Sequence, residues 1–254
     1  MKNLWSRDEL MLAFNLYCRI PFGKMHKSNP DIIALAGTIS RTPDAVAMKL
    51  VNFASLDPVQ RKRGIRGLSH AGKEEKRIWE EFHGDWENMA AESQEAILKR
   101  RGLRKTIHDD DEQWKDRLSA TESVRLVRSR LVQQFFREVV LASYESTCAV
   151  CSLGLPELLN ASHIIPWSED IKRRADPQNG IALCALHDRA FDRGLLSINH
   201  DYRILVSKNA KLPAPPRLHT VGLLDIEGQP LRLPTRFLPD PQALAFHREH
   251  VYQT

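Results

Sequence analysis

Two short pairs of metal-ligand residues limit how the second half of this chain can fold. Cys148 and Cys151 form a CxxC, and Cys184 and His187 form a CxxH. Soft thiolates and imidazole are the preferred ligands of tetrahedral Zn2+. A structural zinc held by both pairs would close the roughly thirty residues between them into a loop long enough for a hairpin. The chain has four cysteines, and the fourth, Cys18, lies in an amphipathic stretch. Three cysteines in one metal pattern and one in a helical face do not make a disulfide framework, so the expected compartment is reducing.

Inside the zinc brackets stands a second set of polar residues: Ser162-His163, Asn179 and Asp188, with Asp192 four positions further on. Hydrolysis of a phosphodiester needs a base to activate water and a cation to stabilise charge on the phosphate and the leaving oxygen. Histidine has a pKa range suited to the first task, and a carboxylate can hold the cation for the second. Leu158 to Ile165 reads as a strand, Gly180 to Leu183 as its partner, and Cys184 to Arg193 as a short helix ended by Gly194. On that helix Cys184 and His187 are i,i+3 neighbours able to face one zinc. Asp188 and Asp192 are i,i+4 neighbours on an adjacent stripe.

Ala161 to Trp167 (ASHIIPW), Asn179 to Leu183 (NGIAL) and His187 to Leu195 (HDRAFDRGL) resemble the HNH nucleases of the ββα-metal class, in the branch written ASHI-PW, NG-L and HD-AFDRGL. The resemblance implies a zinc-knuckled ββα-metal domain with His163 as general base. It also implies Asn179 as the residue that holds the hairpin and orients the histidine, and Asp188 as a ligand of the catalytic cation. Many such enzymes carry Asp or His immediately before the base. Here Ser162 stands in that position, a poor ligand, which leaves Asp188, waters and the substrate phosphate, with Asp192 and Ser162 as weaker candidates. The resemblance implies Mg2+ or another divalent cation such as Mn2+ or Ni2+ at that site.

The first hundred residues read as helices. Ser6 and Glu9 form a capping box ahead of Leu10, Ala13, Phe14 and Tyr17, and Pro21 stops the run. Asn29-Pro30 and Thr42-Pro43 each read as N-cap and N1, with Ile32, Ala36 and Ile39 and then Val46, Leu50 and Phe53 turned inward. The phrase Ile39 to Val46 resembles the turn into the last helix of Myb-like and other helix-turn-helix domains, and Arg61, Lys62, Arg63 and Arg66 follow that helix. A DNA reader and a partner-docking scaffold are both open for this region. Two further helical patterns carry Ile78 and Phe82, then Trp86, Met89, Ser93 and Ile97.

The charge-dense stretch 106–118, including Asp109 to Glu112, reads as a linker. Ser119 and Glu122 make a second capping box, after which Val124, Val127, Leu131, Phe135 and Val139 mark one face of a helix of about five turns. Arg125 and Arg128 on it, and Arg174 in the nuclease-like region, are the candidates for touching phosphates. Later segments suggest a hairpin about Asn199-His200-Asp201, another about Glu227-Gly228, and a closing helix from Pro241 to Tyr252.

The expected architecture is α+β. A helical domain covers residues 1–105, and a nuclease domain over 119–254 has its core at 148–206. A net charge of +5 permits a polyanionic partner. No apolar signal core opens the chain and no run of about 18 apolar residues occurs, so a cytoplasmic protein without a membrane partner is expected. The function implied is a divalent-metal-dependent endonuclease acting on DNA, with restriction or anti-phage defence as its setting. A zinc-containing nucleic-acid-binding or regulatory protein with a degenerate HNH site is the alternative. A homodimer, and an activating partner or ligand acting through the N-terminal domain, are compatible with either.

Overall fold

A computed structural model of the chain describes residues 4–65, 72–102 and 120–254. The charged stretch 106–118, Arg66 and Ser119 of the second capping box lie outside these residues. The chain divides into two compact units, Met1–Phe135 and Phe136–Thr254, and the division falls inside a helix. Among the described residues no helix is long and apolar enough to cross a membrane.

The first unit is helical: α1 (Arg7–Arg19), α2 (Pro30–Thr38), α3 (Pro43–Ala54), α4 (Pro58–Lys62), α5 (Lys73–Gly84) and α6 (Trp86–Arg100). Local chemistry accounts for the starts. Ser6 and Glu9 close a reciprocal capping box on α1, while Asn29 and Thr42 cap α2 and α3, each with proline at N1. The amphipathic pattern understates α1, because every residue from Leu10 to Cys18 is buried. This helix is packed by α3, α5 and α6 rather than lying on a surface. Two of its polar side chains bond within the core: Asn15 Nδ2 donates to Ser93 Oγ at 2.8 Å, and Tyr17 donates to Asp57 at 2.9 Å.

The helix that follows, α7 (Ala120–Ser143), has 24 residues and is longer than the five turns expected. Val124 is 60 % exposed, so the inward stripe does not begin there. It is made by Val132, Phe135, Phe136, Val139 and Val140.

The second unit is built on an antiparallel hairpin, β1 (Leu159–His163) and β2 (Gly180–Cys184), against which α8 (Ala185–Asp192) packs. The register pairs Leu159 with Cys184 and His163 with Gly180. β1 is shorter than the expected Leu158 to Ile165. Ile164 and Ile165 are buried, but their amides leave the ladder and donate to the Asn179 carbonyl (2.9 Å) and the Asn179 side chain (2.8 Å). Cys184 ends β2 and caps α8, one residue earlier than a place on the helix itself.

Two glycines are dictated by this packing. A Cβ on Gly180 would stand 2.4 Å from Val140 Cγ2 and 2.8 Å from Phe136 Cζ, so glycine is what lets α7 lie against the strand opposite His163. Gly194 ends α8 at φ +68, and a Cβ there would stand 2.0 Å from the Val251 carbonyl oxygen.

A second hairpin, β3 (Leu196–Ile198) and β4 (Ile204–Val206), forms where expected. The hairpin expected about Glu227-Gly228 does not. Thr220–Leu224 instead forms a π-helical turn. The chain beyond it runs along β4, with Gly228 donating to the Ile204 carbonyl and Ile204 to that of Gln229. The apolar run that suggested a strand is used in that turn. α9 (Pro241–His250) closes the unit. One core, including Phe136, Val140, Leu159, Ile181, Leu183, Phe191, Leu196, Ile204 and Leu244, joins both hairpins to α7, α8 and α9. The described chain is thus helix-rich, with two small antiparallel sheets in its C-terminal part.

Candidate active site and metal centre

The two knuckles converge as the spacing predicted. The ligand atoms of Cys148, Cys151, Cys184 and His187 all lie within 4.8 Å of one another, three of the residues buried and Cys151 exposed. Among the described residues this is the one such cluster of Cys, His and carboxylate groups. Cys151 Sγ and Cys184 Sγ are 3.9 Å apart, against about 3.8 Å for two thiolates around tetrahedral zinc with Zn–S near 2.3 Å. His187 Nδ1 lies 3.5 Å from Cys148 Sγ and 3.1 Å from Cys184 Sγ.

The tautomer of His187 follows from its other nitrogen. Nε2 is 2.8 Å from the Gly222 carbonyl oxygen, which can only accept, so Nε2 carries the proton and Nδ1 offers its lone pair to the thiol cluster. The Cys184 amide also donates to Cys148 Sγ at 3.2 Å. The donor set fits a soft or borderline cation.

Beside this centre is a cleft of about 320 Å³ whose walls include Ser162, His163, Trp167, Asp188, Asp192 and His247. Four residues singled out in the sequence, from two elements, thus share one concavity. His163 ends β1, and its ring stacks on Phe136 from α7, with centroids 3.8 Å apart and planes within 10°. Trp167 meets it edge-on at 5.5 Å. Nε2 lies 2.9 Å from the Arg174 carbonyl oxygen. That oxygen accepts, so the neutral ring holds its proton on Nε2 and keeps a lone pair on Nδ1. Burial pushes the His163 pKa below the ordinary histidine value and Arg174's charge acts the same way, against the Arg174 carbonyl bond and the charge of Asp188. Burial thus favours the neutral ring over the imidazolium.

Asp188 sits in the first turn of α8 and receives two bonds from β1: Asn160 Nδ2 donates to Oδ2 at 2.7 Å and Ser162 Oγ to Oδ1 at 2.6 Å. Asp192 is exposed on the same cleft. Partial desolvation, and then the Asp188 charge, raise its pKa from the ordinary aspartate value. Asn179 is behind the cleft and buried. Its Oδ1 accepts from the Ile165 amide at 2.8 Å, and its Nδ2 donates to the carbonyls of Ile165 (3.1 Å) and Arg173 (3.3 Å). The carbonyl next to that of Arg173 is the one holding His163.

Arg174 lies over the Trp167 ring at 5.0 Å and donates to the Trp167 carbonyl. Arg125 and Arg128 belong to the first unit.

Four contributors escaped the sequence reading. Asn160 shares a strand face with Ser162 and was detectable by period two. Phe136 was one of many apolar residues on a helix. Gly222 acts through its backbone. His247 had no local signal: it is buried, stacked on Phe191 at 3.7 Å and bonded to Ser197 Oγ at 2.9 Å.

No curated protein matches the chain significantly. Residues 148–199 match the family model described as HNH endonuclease. That span contains the metal cluster, β1, β2 and α8 with its two aspartates, so the family match falls on the residues that build most of the cleft and the Cys/His cluster.

Proposed function

We propose that the chain is a divalent-cation-dependent endonuclease that hydrolyses DNA phosphodiester bonds, with His163 as general base. The observation that carries this reading is the placement of His163 on a cleft shared with Asp188, with its Nε2 2.9 Å from the Arg174 carbonyl oxygen. Nε2–H is committed to the Arg174 carbonyl, so Nδ1 is the atom that takes the proton from an attacking water. Phe136 and Trp167 hold the ring while it does so.

Asp188, with Asp192, supplies hard oxygen donors in a solvent-open cleft. This suits Mg2+ or Mn2+, which bind through one or two carboxylates and retained waters. A cation there stabilises charge on the phosphate and the leaving oxygen. Asn179 ties the segment after β1 to the Arg173–Arg174 turn and so aims His163. Cys148, Cys151, Cys184 and His187 would hold a structural zinc that takes no part in proton transfer. Arg174 is the cleft-side candidate for phosphate contact. The first unit selects the target or partner, supported by Arg61, Lys62 and Arg63 exposed after α3. Restriction or defence against foreign DNA is the setting, on the strength of the sequence resemblance.

The test is relaxation of supercoiled plasmid in Mg2+, Mn2+ or Ni2+ against EDTA, with wild type beside His163→Ala. Cation-dependent nicking that falls about 10²- to 10⁴-fold in the variant is expected. DNA binding that persists in EDTA with no scission in any cation would establish the degenerate-site alternative instead.

A further inference from the structure

Ser162 occupies the position next to the base, yet its side chain is not directed at the cleft as a free ligand. It is 3 % exposed, and its hydroxyl proton is given to Asp188 Oδ1 at 2.6 Å. Two residues earlier, on the same face of β1, Asn160 gives an amide proton to Asp188 Oδ2 at 2.7 Å. Both oxygens of one carboxylate are thus gripped by neighbouring side chains of a paired strand, while the carboxylate itself comes from the first turn of α8.

An aspartate side chain has two rotatable torsions. Two bonds from a rigid strand to its two oxygens leave neither torsion free, and each oxygen retains a lone pair. Neither donor adds charge, so the anionic groups lining the cleft are Asp188 and Asp192. A site with so few anions depends on having its principal carboxylate already oriented.

We infer that Asn160 and Ser162 are positioning residues that pre-orient the Asp188 carboxylate for its cation, an inference that rests on the cation role proposed for Asp188 above. In this chain the position preceding the base serves as a hydrogen-bond donor to the ligand and not as a ligand.

The experiment is a Mn2+ titration of the full-length, zinc-loaded protein followed by electron paramagnetic resonance, with plasmid nicking against Mn2+ concentration run in parallel. Asn160→Ala and Ser162→Ala should each weaken Mn2+ binding by about 10-fold or more. The half-activating Mn2+ concentration should rise in step, and most of the maximal rate should return at saturating metal. Ser162→Thr, which keeps the hydroxyl, should restore binding. Wild-type Mn2+ affinity in both alanine variants, beside lost binding in Asp188→Ala, would overturn the inference and leave the cation site standing. Weakened binding that tracks a lowered melting temperature and is not restored by Ser162→Thr would also overturn it, as a purely structural effect. Unchanged Mn2+ binding in Asp188→Ala removes the cation role itself and the inference with it. Absence of nicking by wild type counts against the nuclease reading alone, because the binding titration still decides the clamp.

Discussion

Replacing Asn179 by alanine separates the tie that aims the base from the base itself. The side chain is 1 % exposed and serves three partners: the Ile165 amide, the Ile165 carbonyl and the Arg173 carbonyl. The Arg173 carbonyl also accepts from the Asp176 amide at 3.3 Å, so it keeps a partner in the variant. The two Ile165 groups lose theirs in a buried segment, at about 1–3 kcal/mol each, which gives roughly 3 kcal/mol in total. With a urea dependence near 2 kcal/mol/M, the unfolding midpoint should drop by about 1.5 M.

Hydrogen exchange gives the local readout, because the Ile165 amide should lose its protection while amides of β3 and β4 keep theirs at matched stability. Slackening between Ile165 and Arg173 also frees the Arg174 carbonyl that orients His163, and a misplacement of about 1 Å costs about 10²-fold in rate. Asn179→Asp is the sharper control. It keeps the acceptor for the Ile165 amide but points a carboxylate oxygen at two carbonyls. It should therefore be as damaging as alanine at neutral pH and recover as acid restores a donor proton. A loss below about 0.5 kcal/mol in Asn179→Ala, with the Ile165 amide still protected, would refute the argument.

Chelation of the thiol-bound metal, or Cys151→Ser, should lower the stability of the second unit, and elemental analysis of untreated protein should give about one zinc per chain; a metal-free protein of equal stability would contradict the zinc assignment. His247 is buried and its pKa is pushed down to about 4, chiefly by burial. Its unfolded value is near 6.5, so the unfolded state binds the extra proton between those values. The stabilisation, about 3 kcal/mol, is present above pH 6.5 and lost as pH falls toward 4. His247→Gln should remove about one proton from the pH dependence of unfolding over that window, and an unchanged slope in calorimetry or urea titrations would count against it. Gly194→Ala should cost at least about 2 kcal/mol, since it combines a positive φ with a Cβ 2.0 Å from the Val251 carbonyl oxygen; equal melting temperatures would show that the turn accommodates a side chain.

Much of this molecule is set by short-range chemistry and was therefore legible in the sequence. Capping residues act within one turn, so Ser6, Asn29-Pro30 and Thr42-Pro43 start their helices from sequence alone. Metal ligands of fixed type and spacing bring the two knuckles together, and Gly194 stops α8 because only a residue tolerant of positive φ ends a helix in that way.

Tertiary structure decided what depends on partners distant in sequence. Period and hydropathy cannot tell a helix packed on one side from one packed all round, so α1 looked amphipathic and is buried from Leu10 to Cys18. They read 223–233 as a hairpin, although its first residues form the turn whose Gly222 carbonyl orients His187. The tautomer of His163, fixed by a backbone oxygen 11 residues away, has no signature in side-chain identity. Nor does the use of Ser162 as a donor to Asp188, 26 residues on, because a hydroxyl's role is set by the acceptor that folding places within its reach.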